Sequence, residues 1–356
     1  MDGVNYSGIK TLTLVAELGR PDRRELLRRE LADEGPRGLL FEESLNADML
    51  DGGDRRRLRR YLGQVLAAYR RRRGYDAVLT WGEPLSLLFA LLLKLTGART
   101  RHLALMYWVS PPGKALMLRA VHSHIDQIIT WSSVQREVAI DRLGIPSTKI
   151  ALVRHPVDQR FWRPMGTAGD AICAAGNEMR DYATLIAAMR GLTIRCEIAV
   201  RNDPSCTSRR LTTIDAILAN GALPDNVAVG SYPYPELRAL YARSRFVVIP
   251  LLPTDTDNGI RVALEAMAMG KAVICSRTRG QVDVIEEGKT GLFVPPRDPR
   301  ALAKAIQYLW DHPDVADRMG TAGRQHIEQR HTLDQFVESV KGIVEQVIAE
   351  RRLVPV

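Results

Sequence analysis

The stretch PLLPTDTDNGIRVALEAMAMGKAVICSRTRGQVDVIEEGKTGLFVPP, Pro250 to Pro296, decides how the chain is read. It opens inside an apolar, β-branched run, FVVIPLL from Phe246 to Leu252, which Pro253 ends; such a run reads as a buried parallel strand. The polar TDTDNG that follows does not prolong a central strand. From Ile260 the apolar residues Val262, Leu264, Met267 and Ala268 return at helical spacing and stop at Gly270. Asp257, Asn258 and Gly259 therefore stand where a helix begins, just past the carboxyl end of a strand. In an open α/β sheet that is where ligands bind, and a helix N-terminus offers N–H groups and a positive dipole end to phosphate. Gly259 lets the backbone approach a ligand closely. Glu265 lies about a turn and a half inside the helix, where an inward carboxylate accepts hydrogen bonds from a sugar or ribose hydroxyl pair. Spacing alone admits a second reading, in which Asp257 or Asn258 caps the helix and Glu265 is a solvated helix residue.

The same segment resembles the carboxyl-terminal signature of retaining glycosyltransferases of the GT-B type, particularly glycosyltransferase family four. There an acid, seven residues and a Glu precede AMAxGxPVV and then GxxGxLVPPxD. Here those positions read Asp257, Glu265, AMAMGKAVI (Ala266 to Ile274) and GKTGLFVPPRD (Gly288 to Asp298). AAGNEMRDYATLIAAMRGL (Ala174 to Leu192) is similar to the segment that opens the family's second domain, and GIPSTKIALVRHPVDQRFWRP (Gly144 to Pro164) to its interdomain hinge. The resemblance implies an α/β fold of two Rossmann-like doubly wound parallel-sheet domains facing across a cleft. It assigns residues 1–157 to an acceptor-side domain, 165–332 to a donor domain, and 333–356 to a helix that crosses back onto the first. The implied reaction moves a sugar from a UDP- or GDP-sugar to an acceptor hydroxyl, on a glycan, a lipid-linked sugar or a small molecule, with retention of configuration. No cofactor and no metal enter this reading.

By the same resemblance Glu265 binds the nucleotide ribose and Asp257 lies at the donor sugar ring, one methylene shorter than the usual Glu. The N–H groups of Asn258, Gly259, Ile260 and Arg261 meet the diphosphate. The family neutralises the leaving diphosphate with an Arg and a Lys, which stabilises charge developing in the transition state. The Lys position, in RDYATLI, falls on Arg180, where a guanidinium replaces a point charge. The Arg position falls on Ala175, and Arg201, just past the strand CEIAV, is the substitute. An exposed loop cation is the alternative reading of Arg180 and of Arg201. The first domain departs from the pattern: AELGRPDRRE (Ala16 to Glu25) holds one glycine where relatives often have a pair, and MYWVS (Met106 to Ser110) has no His. Tyr107, Trp108 and Trp131 either stack on a sugar or fill a strand-end core. His122 and His124 read as structural. Two other functional readings stand beside transfer: a nucleotide-sugar-binding partner subunit without catalysis, and a sugar-nucleotide epimerase.

A chain of 356 residues with 46% hydrophobic content is long enough for two cores. LSLLFALLLKLTG from Leu85 is interrupted by Lys94 and reads as a buried helix. MDGVNYSGIK carries no secretory pattern, so a cytoplasmic enzyme is expected, with the inner face of the membrane as the alternative location. Cys173, Cys196, Cys206 and Cys275 show no metal or disulfide spacing. Residues 1–165 hold 27 Lys and Arg against 18 Asp and Glu, so the first half carries all of the net charge of +9. The excess concentrates in DRRRLRRYLGQVLAAYRRRR (Asp54 to Arg73), with Leu58, Tyr61, Leu62, Val65, Leu66 and Tyr69 on one helical face. Such a helix either makes peripheral membrane contact or packs its apolar face inward behind a solvated basic back. No nucleic-acid-binding motif accompanies it.

Overall fold

The computed structural model describes residues 11–15, 43–46, 54–167, 169–200, 212–219 and 221–352. Two compact units divide the chain, Met1–Val153 together with Phe336–Val356, and Arg154–Gln335.

The first unit holds six parallel strands, β1 (Thr11–Val15), β2 (Glu43–Asn46), β3 (Ala77–Trp81), β4 (His102–Leu105), β5 (Gln127–Thr130) and β6 (Ile150–Leu152). Their order is β2-β1-β3-β4-β5-β6, so the winding reverses between β1 and β3. The segment AELGRPDRRE lies outside the described residues. Helices α1 (Asp54–Arg71), α2 (Glu83–Thr96), α3 (Pro112–Val121) and the short α4 (Ser133–Glu137) connect the later strands. All of β4 is buried, as expected of a parallel strand covered on both faces. His102 is the polar member: its Nε2 lies 2.8 Å from Thr80 Oγ1 and its Nδ1 3.2 Å from the His124 carbonyl. Burial lowers its pKa to about 4, which keeps the ring neutral.

Segment MYWVS follows β4; the Met106 amide donates to the Ile129 carbonyl, and the next four amides are satisfied by side chains. Glu83 Oε1 accepts from the amides of Tyr107 and Trp108, and Gln135 Oε1 accepts from Val109 and Ser110 at 2.9 and 3.1 Å. Trp131 is buried edge-on to Tyr107, with ring centroids 4.5 Å apart, and Phe336 packs on Trp81 at 5.8 Å. Tyr107 and Trp131 thus take part in an aromatic core cluster. The leucine-rich α2 buries Leu85, Leu87, Phe89, Ala90 and Leu93 and ends at Gly97. No helix among the described residues is long and apolar enough to cross a membrane.

The second unit repeats the architecture with β7 (Ala171–Ala175), β8 (Arg195–Ala199), β9 (Val227–Gly230), β10 (Ser244–Ile249), β11 (Ala272–Ser276) and β12 (Gly291–Val294). All pair in parallel in the order β12-β11-β10-β7-β8-β9, so β7 and β10 flank the switch point. Helices α5 (Tyr182–Met189), α6 (Ile214–Leu218), α7 (Tyr234–Arg243), α8 (Ile260–Ala268), α9 (Pro299–Asp311) and α10 (Pro313–Arg330) belong to it, and α11 (Leu333–Arg352) follows. Strand alternation divides the core in two. Val247 and Ile249 join Cys173 and the α8 residues Ala263 and Met267 on one side, while Phe246 and Val248 join Leu185 and Ile306 on the other. The described cysteines are buried and free, and burial raises the Cys173 and Cys275 thiols to about 12.

The residues just ahead of α6 lie outside the described ones, and α10 is a helix with few apolar residues to mark it. Helix α10 is mostly polar and holds Gly320 and Gly323, both poor helix formers. Each glycine is there for contact: a β-carbon on Gly320 would stand 2.0 Å from the Gly270 carbonyl oxygen, and one on Gly323 3.1 Å from Met267 Cγ.

Candidate functional site

The loops after β7, β10 and β11 meet at the carboxyl edge of the second sheet. Gly176 follows β7 with φ of 101°, a conformation available to glycine at little cost. Met179 also takes positive φ, 54°, in this loop. Its carbonyl accepts the Leu252 amide at 2.9 Å, and the Pro250 carbonyl accepts the Asp181 amide at 3.0 Å. These bonds flank an antiparallel bridge between Arg180 and Leu251 that stitches the β7 loop to the end of β10. Asp181 then caps α5, accepting the Thr184 amide at 3.1 Å.

Arg180 is buried, which corrects the alternative reading of an exposed loop cation. Its Nε donates to the Ala175 carbonyl and its Nη1 to the Glu178 carbonyl, each at 2.8 Å. The guanidinium crosses Gly176 so closely that a β-carbon there would be 2.4 Å from Nη2. On its other side, Nη1 lies 3.5 Å from where a β-carbon on Gly259 would stand. Arg180 therefore brings a cation to the start of α8, where the helix dipole is also positive.

Gly259 is the N-cap of α8, with φ of 92° and no side-chain cap. Neither Asp257 nor Asn258 caps the helix through its side chain, so that alternative is corrected. The Asp257 carbonyl instead accepts the Ile260 amide at 3.0 Å, and the Gly259 carbonyl accepts Ala263 at 3.1 Å. Of the expected phosphate-facing amides, that of Ile260 is thus engaged in the turn. Those of Arg261 and Val262 belong to the first helical turn, where no i−4 carbonyl is available. The Arg261 side chain is exposed, and Arg201 lies outside the described residues.

The loop after β11 braces this turn. Gln281, itself buried, donates from Nε2 to the Asn258 carbonyl at 2.6 Å, and Thr254 Oγ1 donates to Asn258 Oδ1 at 3.2 Å. A β-carbon at Gly280 would fall 2.0 Å from the Thr256 carbonyl oxygen, so only glycine permits this approach. Ser276 Oγ accepts the Leu251 amide at 2.9 Å. None of these braces is marked by a motif; the Gly-Gln pair in SRTRGQ is the one local hint.

Asp257 is buried, and Thr256 Oγ1 donates to its Oδ1 at 3.2 Å. Burial raises its pKa to about 6, opposed by the Thr256 hydroxyl and its own amide and assisted by the nearby carboxylates of Asp283 and Glu178. Asp255 and Asp257 flank Thr256 in an Asp-x-Asp spacing, contrary to the expectation that this segment holds no such pair. Among the described residues no group of three His, Cys, Asp or Glu is placed to hold a metal ion. Glu265, on α8, accepts from the hydroxyl of the fully buried Tyr241 on α7 at 3.2 Å. Burial, and then the Glu265 charge, raise the Tyr241 pKa far above that of a free phenol, so it stays a donor. The site thus offers a buried cation, a helix N-terminus, a buried acid of raised pKa and a positioned carboxylate.

Residues 198–312 match the family described as glycosyl transferases group 1. Among curated proteins, the chain is 24% identical over 266 residues to D-inositol 3-phosphate glycosyltransferase of Acidothermus cellulolyticus, covering 68% of this chain and 58% of that protein. It is 26% identical over 215 residues to glycogen synthase of Mycobacterium tuberculosis, covering 57% and 50%. The chain thus spans about half to three-fifths of the length of these relatives. Among solved structures, sucrose-phosphate synthase from Thermosynechococcus elongatus superposes with a TM-score of 0.77 at 18% identity, covering 96% of this chain and all of that one. Anabaena Alr3699/HepE in complex with UDP gives 0.70 at 14% identity, covering 95% and 100%. The fold is GT-B: two parallel-sheet α/β domains of the glycosyltransferase kind.

Proposed function

We propose that this chain, a GT-B fold protein whose second unit resembles the group 1 glycosyl transferases, moves a sugar from a UDP- or GDP-sugar to an acceptor hydroxyl with retention of configuration. The observation that carries the reading is the buried guanidinium of Arg180 beside the N-terminus of α8. A buried cation and first-turn amides at one point are what a leaving diphosphate requires, since its charge grows as the glycosidic bond breaks. In this reading the amides of Asn258, Gly259 and Arg261 and the Arg180 guanidinium hold the diphosphate, with Arg201 a further cation, while the Ile260 amide stays in the turn. Glu265, fixed by Tyr241, accepts from the ribose hydroxyls, and Asp257 meets the donor sugar. The acceptor oxygen bonds to the anomeric carbon as the bond to the β-phosphate oxygen breaks. The electron pair stays with the nucleoside diphosphate, whose oxygen takes the acceptor's proton. UDP is the first nucleotide to try, because a structural neighbour is described in complex with it.

The test is nucleotide release from a panel of UDP- and GDP-sugars, with and without candidate acceptors. Release that depends on an acceptor supports transfer, and Arg180→Ala should then lower turnover at saturating donor by about 10²- to 10³-fold. Donor binding that Glu265→Ala abolishes, with no transfer to any acceptor, would instead favour the non-catalytic binding role.

A further inference from the structure

Helix α1 divides its apolar residues between two faces. Tyr61, Val65 and Ala68 are buried, whereas Leu58, Leu62 and Leu66 are 50%, 41% and 43% exposed. Leucines at i, i+4 and i+8 follow one another along the helix surface, so the three form a continuous stripe rather than scattered exposed side chains. At about 100° per residue, Arg59 and Arg70 fall at the edge of that stripe, and both are exposed. The stretch from Asp54 to Arg73 holds nine arginines and one aspartate.

The layer that contains α1 continues the pattern. The steps from β2 to β3, β3 to β4 and β4 to β5 all run in one direction across the sheet, so right-handed crossovers place α1, α2 and α3 on the same face. Leu95 at the end of α2 and Leu116 on α3 are 75% and 71% exposed. Lys94, Arg99 and Arg119 on or beside these helices are exposed as well.

We propose that the α1 stripe of Leu58, Leu62 and Leu66, edged by Arg59 and Arg70, docks this chain onto an anionic lipid surface. Apolar side chains enter the headgroup boundary while cations stay beside the lipid phosphates, which needs both chemistries side by side on one helix. A second copy of the chain is a poorer fit, because two such faces would bring like charges together. Nucleic acid would use the cations but leave the leucines in water. Stacking platforms are also lacking on this helix: Tyr61 is buried, and the Tyr69 ring is covered by the Arg72 guanidinium at 3.7 Å.

Co-sedimentation of the full chain with phosphatidylcholine vesicles, with and without phosphatidylglycerol, tests this. The chain should pellet with the anionic vesicles and lose that binding as salt rises. Changing Leu58, Leu62 and Leu66 together to Ser should weaken binding by about tenfold or more, and Arg59→Glu with Arg70→Glu should do likewise. Circular dichroism of both variants checks that they fold, and Leu218→Ser, at an exposed leucine of the second unit, should bind as the parent does. Equal binding to neutral and anionic vesicles, absence of binding, or full binding by the leucine variant would overturn the proposal. So would a dimer in sedimentation velocity that the leucine variant abolishes, since the stripe would then belong to a second copy.

Discussion

Arg180 and Gly259 define one corner of the second unit: Nη1 of the arginine lies 3.5 Å from where a β-carbon on the glycine would stand. The arginine comes from the loop after β7 and the glycine from the loop after β10, so the corner sits at the switch point of the sheet. Each side of it depends on the absence of a side chain, at Gly176 beneath the guanidinium and at Gly259 in front of it.

Gly259→Ala tests that dependence. Alanine would have to adopt φ near 92° and place its methyl 2.9 Å from Ile249 Cγ2 and 3.2 Å from Leu251 Cδ2. Strain of this kind costs about 1–3 kcal/mol. A lowered Tm is expected, together with UDP binding weakened beyond what the fraction folded explains. Unchanged UDP affinity in calorimetry would show that the N-terminal turn of α8 is not the phosphate site.

Arg180→Lys separates charge from geometry. Lysine keeps the cation, but one ammonium does not reproduce the fork that now reaches the Ala175 and Glu178 carbonyls. The buried Ala175 carbonyl, left without its donor, costs about 1–3 kcal/mol. Both Arg180→Lys and Arg180→Ala should therefore melt earlier, while Lys should retain more turnover than Ala. Equal turnover for the two would remove the electrostatic role from the assignment.

Asp257 gives a pH signature. Its folded pKa of about 6 stands above the ordinary 3.8, because burial disfavours the carboxylate. The folded state thus prefers the neutral acid: the stabilisation is complete below pH 3.8 and is lost as pH rises through about 6. The full loss is about 3 kcal/mol. In urea unfolding, Asp257→Asn should gain on the parent as pH rises across this window and then hold a constant advantage. Parallel stability curves for the two proteins would contradict the burial argument.

Legibility in the sequence followed local physics. Strand β10 is a continuous apolar run, and the start of α8 at Ile260 is announced by a polar turn, a glycine and a new period, so the strand, loop and helix at the centre of the site are readable from the sequence. The burial of Arg180 was not, because the carbonyls that hold it belong to its own loop and acquire direction only when Met179 takes positive φ. Gln281 and Gly280 were invisible for another reason: they act on Asn258 and Thr256 across a gap in sequence that no periodicity spans. On α1 the wheel gathered six apolar residues on one face, but the layer beneath accommodates only the half that includes Tyr61 and Val65. Helix α10 was hidden by Gly320 and Gly323, which weaken helix propensity in order to admit the Gly270 backbone and the Met267 side chain.

That last point gives a paired prediction of opposite sign. Glycine in a helix interior is worse than alanine by about 1 kcal/mol, so Gly→Ala stabilises wherever the new methyl has room. Gly63, within α1, has nothing within 4 Å of the position its β-carbon would take, and no φ conflict opposes the change. Gly63→Ala should raise stability by about 0.5–1 kcal/mol. Gly320 is also helical, yet its β-carbon would stand 2.0 Å from the Gly270 carbonyl oxygen and 3.3 Å from the Ala272 amide nitrogen. Those neighbours are backbone at the junction of α8 and β11, so no rotamer change relieves the clash and α10 must shift away. Overpacking of this kind costs about 1–3 kcal/mol, which outweighs the propensity gain. Urea melts should therefore show Gly63→Ala more stable than the parent and Gly320→Ala less stable. Because α8 carries Glu265 and begins at Gly259, the Gly320 variant should also bind UDP more weakly. A Gly320→Ala protein as stable as the parent would mean that α10 does not lie against the α8 junction as described.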